Sequence, residues 1–246
     1  MKFLKIILSI LIFISPVNAN TIYYLIKIPN LEIHSSNSKN GLKYLKAMKP
    51  FEVGIKDNSV SCFNSSEKEI EKKMPIIEKN LNKYTSAFLK KINLKYIVLC
   101  ENLSVSQISG AGVPNPKTKT LVIDIKFNEK YFERVLHHEI FHMINESHKE
   151  KFYYEIWKNF NNSEFKYAKC STCSDRLDLS LIKENKGFVT EYSMSTASED
   201  MAEVFSFLII DSKKIENKAL LDPILNKKIL FIKKNILKID ENFNFN

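Results

Sequence analysis

The chain has 246 residues, of which 44% are hydrophobic, and its formal net charge is +9 at pH 7. This length and apolar content suffice for one sizeable core with a small N-terminal appendage. The lysines are spread along the chain without a dense cluster or interleaved aromatic residues, which removes nucleic acid from the expected partners.

Residues 1–19 have the pattern of an export signal. Two lysines give a positive start, an apolar run covers residues 6–14, and small residues at 17–19 form a cleavage site. The run is too short to span a bilayer, and no later segment reaches the roughly 18 uninterrupted apolar residues of a transmembrane helix. We therefore expect a mature chain that begins at Asn20, is periplasmic or secreted, and has no stable membrane insertion. The competing interpretation is an uncleaved buried helix.

The region after the signal is expected to form short strands and then a long helix. Residues 20–65 alternate short apolar runs with Asn, Ser, Gly and Pro, a composition typical of short strands and loops. Residues 67–92 carry apolar side chains at intervals of three and four, which predicts a long helix that backs the core. We therefore divide the mature chain into an N-terminal strand and loop region, 20–65, and a main domain, 66–246.

Two further strands are predicted in the main domain. Residues 94–100 and 120–126 are rich in Val and Ile. Residues 109–116, which contain two glycines and two prolines, are predicted to lie in the loop that joins these strands.

A helix predicted over residues 128–145 contains a His-Glu-x-x-His motif at His138, Glu139 and His142. Residues four apart lie on one face of a helix, so both histidines can present an imidazole nitrogen to one metal ion, with Glu139 beside a metal-bound water. The helix has a wide apolar surface, and a buried imidazole needs a partner that a metal can supply. The motif therefore predicts a zinc peptidase. A helix that carries two histidines by chance is the competing interpretation, and His137 is expected to pack or hydrogen-bond instead.

Three more helical segments make the C-terminal part mostly helical. They cover residues 149–160, residues 199–210 and a last helix with Asp222 as its N-cap and Pro223 in its first turn. The lysines of the last helix could touch a membrane, but a core-packed helix with a solvated face is the preferred interpretation. The pattern as a whole predicts an α+β fold.

A catalytic zinc site needs three protein ligands and one open position, so a third ligand must follow the motif. Ser198 can cap a helix on which Glu199 and Glu203 share a face. One carboxylate can then bind zinc while the other hydrogen-bonds a ligand histidine. The competing interpretation is an acidic first turn that stabilises the helix through its dipole.

The segment from Glu199 to Glu203, preceded by Tyr192, and the motif at 137–144 resemble the family of putative zinc-binding metallopeptidases and the anthrax lethal-factor type of peptidase. Both groups are zincins with a glutamate as third ligand, and the likeness covers mainly residues 137–144 and 187–208. The resemblance implies a zincin-like domain in which a small mixed sheet packs on a backing helix and on the motif helix. In such peptidases a strand often lies along the cleft and pairs with the substrate backbone.

The resemblance also implies a role for each residue of the site. It implies one catalytic Zn²⁺ held by three ligands, His138, His142 and Glu199. Glu139 is then the general base, Tyr192 donates a hydrogen bond to the oxyanion, and Glu203 supports a ligand from behind. The implied activity is that of a secreted zinc-dependent metalloendopeptidase, which hydrolyses a peptide or protein substrate with a zinc-activated water.

His148 is an alternative third ligand. The stretch from His138 to His148 has the spacing of the extended metzincin motif, with Asn145 where that family has Gly, and Met194 could supply its methionine turn. If the helix continues past Asn145, however, His148 lies about 240° around the helix from His142 and points away from the metal.

A non-catalytic exported zinc-binding protein is a further alternative. Zinc binding alone does not require Glu139, so the presence of this carboxylate argues against it. A structural site also usually fills all four coordination positions with protein ligands.

The four cysteines suit an oxidising destination, where an even number most often means two disulfide bonds. Three pairings are possible, and we favour Cys62 with Cys100 and Cys170 with Cys173. A redox-active or zinc-binding Cys-x-x-Cys pair is less favoured. No thioredoxin-like pattern surrounds the pair, and no second pair has ligand spacing.

Overall fold

The computed structural model of the protein describes residues 28–35, 38–54, 59–184 and 186–245, so the predicted export signal lies outside the described residues. The described chain is a mixed α+β structure in which helices cover a curled sheet, and the predicted α+β class is confirmed. No helix of this part is long and apolar enough to cross a membrane.

Eight strands and seven α-helices form the described structure. The strands are β1 (Leu31–Ser35), β2 (Lys43–Ala47), β3 (Phe51–Val53), β4 (Val60–Phe63), β5 (Tyr96–Val105), β6 (Ile108–Ser109), β7 (Gly112–Asn115) and β8 (Thr120–Asp124). The helices are α1 (Glu67–Leu81), α2 (Ser86–Lys91), α3 (Phe132–Ser147), α4 (Tyr154–Lys158), α5 (Ala197–Ile210), α6 (Ser212–Ala219) and α7 (Pro223–Ile239).

The long strand β5 organises the sheet. Its first half lies between β2 and β8 and is parallel to both, while β1 and β7 complete the two edges as antiparallel strands. Its second half pairs with β4 and β6, and β3 extends that side. Strands β1 to β4, all from the N-terminal region, therefore lie in one sheet with β5 and β8.

The two faces of β5 contribute to two apolar clusters, because successive side chains of a strand point to opposite sides. Ile97 and Leu99 face the main core, which is formed with the helices. Val98 and Cys100 face a smaller cluster on the other side of the sheet. Burial on both faces explains why this segment reads as an unbroken apolar run.

The segment 109–116, predicted as a loop, contains strand β7, so that prediction was wrong there. The Asp124 N–H donates to the Ala111 carbonyl at 2.9 Å. Because hydrogen-bonded pairs alternate along an antiparallel ladder, Val113 bonds to β8 while the main-chain polar groups of Gly112 and Pro114 face away from β8. A proline is tolerated there because its missing N–H would not have joined the ladder.

The long helix predicted over 67–92 is also interrupted. Thr85 accepts a hydrogen bond from the Phe88 N–H at 3.1 Å and starts α2 as a new helix. Asn40 donates to the carbonyl of Leu81 at 2.8 Å and to that of Tyr84 at 3.2 Å, so it holds the turn that follows α1.

The C-terminal helices follow the sequence pattern with local differences. Only part of the segment 149–160 is α-helical, because a short 3₁₀ turn, Lys149–Lys151, precedes α4. Thr196, and not Ser198, caps α5. The predicted cap of α7 is confirmed, since an Asp222 carboxylate oxygen accepts from two backbone N–H groups of the first turn, and Pro223 begins the helix.

Both favoured disulfide bonds are present. Cys62 on β4 is joined to Cys100 on β5, and Cys170 is joined to Cys173. All four cysteines of the chain are thus paired, which fits an oxidising environment.

Candidate metal centre

The predicted motif lies in the middle of α3, a helix that is buried over most of its length. One helical turn separates His138 from His142, so both side chains lie on one face, and their Nε2 atoms are 3.1 Å apart. Helix α3 packs against α5 on one side and against strand β7 on another. The surrounding elements therefore fix the direction of the two imidazoles.

Helix α5 brings a carboxylate to the same point. The Thr196 hydroxyl accepts from the Glu199 N–H at 3.2 Å, which places Glu199 in the first turn. Its Oε2 atom lies 2.9 Å from Nε2 of His138 and 3.2 Å from Nε2 of His142. The Ser198 hydroxyl lies 3.4 Å from Nδ1 of His142, on the outer side of that ring.

These three side chains fit a metal ion in chemistry and in spacing. Two imidazole nitrogens and one carboxylate oxygen are a donor set typical of a catalytic zinc site. Metal–ligand bonds of about 2.1 Å place tetrahedral ligand atoms about 3.4 Å apart. The observed separations of 2.9 to 3.2 Å are slightly shorter. Among the residues that the structure describes, this is the one group of three or more His, Cys, Asp or Glu side chains placed to share a metal.

A buried carboxylate holds His138 from behind. Oε1 of Glu203 lies 2.8 Å from Nδ1 of His138, and the opposite oxygen accepts from Thr190 at 2.7 Å and from Arg134. Arg134 also donates to the Leu179 carbonyl at 2.9 Å. When Nδ1 carries the proton and donates it to Glu203, the lone pair of Nε2 points into the site.

The electrostatics keep Glu203 ionised. Burial alone would raise its pKa, but the Arg134 charge and the hydrogen bonds from His138 and Thr190 hold the pKa below the usual value. Sequence reasoning missed Arg134 and Thr190. Arg134 lies one turn before His138 on the same helix, a spacing that could have indicated it, whereas Thr190 reaches Glu203 only through the folding of the loop before α5.

Glu139 is buried beside these candidate ligands and contacts strand β7. Burial raises the pKa of its carboxyl group, and the nearby histidines partly oppose this shift. A Cβ atom built on Gly112 would lie only 2.6 Å from Cγ of Glu139. The glycine, which was not singled out from the sequence, therefore lies directly against this side chain.

Tyr192 lies in a 3₁₀ turn, Tyr192–Met194, just before α5. Its ring centroid is 5.8 Å from that of His138. Burial and the carboxylates of Glu199 and Glu139 raise the pKa of Tyr192 well above its usual value, so the hydroxyl keeps its proton. The structure thus brings Tyr192 to the ligand cluster.

His137 and His148 are engaged elsewhere. Nε2 of His137 lies 3.0 Å from the side-chain oxygen of Asn80, and Nδ1 lies 2.6 Å from the Tyr84 hydroxyl. Burial and the charge of Lys83 lower the pKa of His137 to about 3, so it stays neutral. Because α3 continues to Ser147, His148 lies beyond its end, and its Nε2 is 2.9 Å from the Lys91 carbonyl.

More than half of the chain matches a protein-family model. Residues 85–237 match the family described as "putative zinc-binding metallo-peptidase". The chain belongs to this family. The resemblance inferred from the motif and the Glu199 segment is therefore confirmed at the level of the family.

A solved structure has the same description. It is the crystal structure of a "putative zinc-binding metallo-peptidase" from Bacteroides caccae ATCC 43185, which shares 20% sequence identity with this chain, with a TM-score of 0.46. The likeness covers 69% of this chain and 70% of that one. A search of curated proteins finds no match.

The part that matches the metallopeptidase family contains the whole candidate centre. It begins at residue 85, just before α2, and ends at residue 237, within α7. Strands β1 to β4 and helix α1 precede the matched range.

Proposed function

We propose that the protein is an exported, zinc-dependent endopeptidase with one catalytic zinc ion bound by His138, His142 and Glu199. The observation that carries this proposal is the convergence of three ligand atoms from two helices, with Glu203 hydrogen-bonded to the far nitrogen of His138. A ligand histidine supported in this way by a carboxylate is a recurring feature of catalytic zinc sites.

The remaining residues of the site have distinct chemical roles. When bound, zinc lowers the pKa of a coordinated water towards about 7 and polarises the substrate carbonyl. The Glu139 carboxylate accepts a proton from the attacking water and later delivers it to the leaving amine nitrogen. Burial raises the pKa of Glu139 towards neutral pH, which favours both accepting and delivering the proton. The protonated Tyr192 hydroxyl donates a hydrogen bond to the carbonyl oxygen as negative charge develops.

Strand β7 supplies a place for an extended substrate. Among the described strands it pairs with β8 alone, and the outward main-chain groups of Gly112 and Pro114 remain for a peptide. A substrate that adds a strand to this edge would bond to the Gly112 N–H and carbonyl and to the Pro114 carbonyl. Its scissile bond would then lie close to Glu139, which Gly112 contacts.

Export is proposed from two separate features. The predicted signal precedes the described residues, and both disulfide bonds suit a periplasmic or extracellular environment. A peptide or protein is the expected substrate. We further propose that residues 66–246 form the zincin-like domain that carries the site, with β1 to β4 completing its sheet.

The test is a zinc-saturated protein incubated with a mixed peptide library, with and without a chelator. We expect chelator-sensitive cleavage and one zinc per chain. Glu139→Gln should retain the zinc but reduce kcat by several orders of magnitude, because the amide cannot accept the proton. The matched control is Glu146→Gln, an exposed change at the far end of α3 that should leave kcat and zinc content unchanged. A zinc-loaded wild type that cleaves no peptide, or an active Glu139→Gln variant, would contradict the proposal.

A further inference from the structure

Gly112 occupies a position where a side chain would have no space. A Cβ built on this residue would lie 2.6 Å from Cγ and 2.9 Å from Cδ of Glu139, and 3.1 Å from the Val122 carbonyl oxygen. Carbon atoms that are not bonded normally stay about 3.5–4.0 Å apart. The space that a side chain would occupy is already filled by the proposed general base.

The backbone conformation is not what requires glycine at this position. The described glycines with positive φ are Gly41, Gly54 and Gly187, so Gly112 has a backbone that other residues also adopt. The requirement therefore arises from the close approach of β7 to α3. A larger residue at 112 would fit only if Glu139 or the strand moved.

Neither strand β7 nor the backbone of helix α3 can easily move away. Strand β7 is held in register on β8, where Gly112 lies opposite Ile123 and Val113 opposite Val122. Helix α3 is anchored on its other side by the buried Arg134–Glu203 ion pair. The flexible part of the contact is the Glu139 side chain, whose carboxyl group would have to rotate away from β7.

We infer that Gly112 is a positioning residue: because it has no side chain, Glu139 can occupy the space beside the proposed ligands. This inference rests on the proposed function, because it assumes that Glu139 is the general base. Gly112 thereby couples two parts of the reaction. Its main chain faces the position of an added substrate strand, while the absence of its side chain leaves room for the proposed base.

Gly112→Ala tests this role against Gly110→Ala, a matched control in the same segment. A Cβ at Gly110 would have no atom within 4 Å, and the φ of Gly110 is not positive. We expect Gly112→Ala to bind one zinc with unchanged affinity and to lower kcat on the order of 100-fold, as expected for a misplaced catalytic group. KM should change little, because the outward main-chain groups remain. Gly110→Ala should match the wild type in all three measurements.

A second measurement detects the contact without relying on activity. Thermal unfolding of Gly112→Ala is compared in the wild-type background and in the Glu139→Ala background, which removes the Cγ and Cδ atoms. The loss of Tm caused by Gly112→Ala should be at least about 2 °C smaller in the second background, since 1 kcal/mol corresponds to about 2–4 °C in a chain of this size.

The outcomes separate this inference from the proposed function. The positioning role is overturned if the losses of Tm are equal in the two backgrounds, or if the kcat of Gly112→Ala equals that of Gly110→Ala. The proposed peptidase function still stands in that case, provided that the wild type cleaves peptides. A zinc-saturated wild type without activity overturns the proposed function and, with it, the role of Gly112.

Discussion

Two adjacent carboxylates of α5, Glu199 and Asp200, are held in opposite ways. Glu199 points towards α3 and contacts two imidazoles, on what we call, after the proposed zinc ion, the metal-facing side of α5. Asp200 points to the other side, where Lys228 donates at 2.6 Å and Trp157 at 2.8 Å to one of its oxygens. The Tyr167 hydroxyl donates to the same oxygen. We call this cluster the bracing side.

On the bracing side, the charge of Asp200 is paired with a lysine of the protein itself. Lys228 on α7 is fully buried, donates to the Gly187 carbonyl at 2.7 Å, and lies 3.9 Å from the ring centroid of Phe188. Burial lowers the pKa of Lys228 and raises that of Asp200, and the attraction between the two charges opposes both shifts. On the metal-facing side, Glu199 instead contacts the imidazoles of His138 and His142, which can lose a proton when a metal binds. Two neighbouring residues in one helical turn can therefore serve different purposes, one in a buried ion pair that stabilises the fold and the other in a site that can bind a metal.

The largest expected effect is on zinc binding and separates the two sides directly. Glu199→Ala should weaken zinc affinity by roughly 1000-fold, if each of three ligands supplies about a third of a binding free energy of about 10–16 kcal/mol. Asp200→Asn keeps all three ligands and should change the affinity by less than about tenfold. Competition with a chromophoric chelator measures both values. A greater loss in His148→Ala than in Glu199→Ala would instead favour a metzincin-type site.

The next effect concerns stability and should appear only on the bracing side. Lys228→Met leaves the buried Asp200 without its counter-charge, which should lower the free energy of unfolding by about 3–5 kcal/mol. Urea unfolding of the metal-free protein measures this loss. The exposed neighbour Lys227 provides a matched control, and Lys227→Met should stay within about 0.5 kcal/mol of the wild type. Similar losses in the two variants would show that the buried pair does not brace α5.

The smallest effect is a proton exchange restricted to the metal-facing side. Burial lowers the pKa of His138, but hydrogen bonds to Glu199 and Glu203 outweigh it and raise the pKa to about 10. Without a metal, His138 thus keeps its proton at pH values above its ordinary pKa of about 6.5, and the proposed zinc ion would have to displace this proton. Zinc affinity should therefore rise with pH up to about 10, by at most about tenfold per pH unit.

Calorimetry at pH 8 in buffers of different ionisation enthalpy measures this exchange. We expect about one proton released from His138 per zinc bound. Glu203→Gln removes one of the two carboxylates that raise the pKa of His138, so it should release a smaller fraction of a proton. A wild-type release equal to that of Glu203→Gln would contradict the exchange.

The local parts of the site could be predicted from the sequence, and the tertiary parts could not. The four-residue spacing of His138 and His142 lies within one helix, and so does that of Glu199 and Glu203. Helical geometry alone therefore indicates which side chains share a face. The contact of Gly112 with Glu139 joins a strand to a helix, and no spacing in the sequence encodes it.

The fold shows the same division. Strands β5 and β8 could be predicted because strand propensity and burial favour the same apolar residues. The cap of α7 could be predicted because Asp222 is followed directly by Pro223. Strand β7 was predicted as a loop, because Gly112 and Pro114 disfavour a strand unless it lies at an edge. The break between α1 and α2 was missed because the Thr85 cap overrides an apolar periodicity that continues through it.

The place of β2 within the sheet has a practical consequence for recombinant production. A protein trimmed to residues 85–237, the range that matches the family, would lose the strand that pairs with the first half of β5. It would also lose Cys62 and leave Cys100 as an unpaired thiol. The bare edge of β5 and the free thiol would both invite self-association, so expression boundaries should keep β1 to β4.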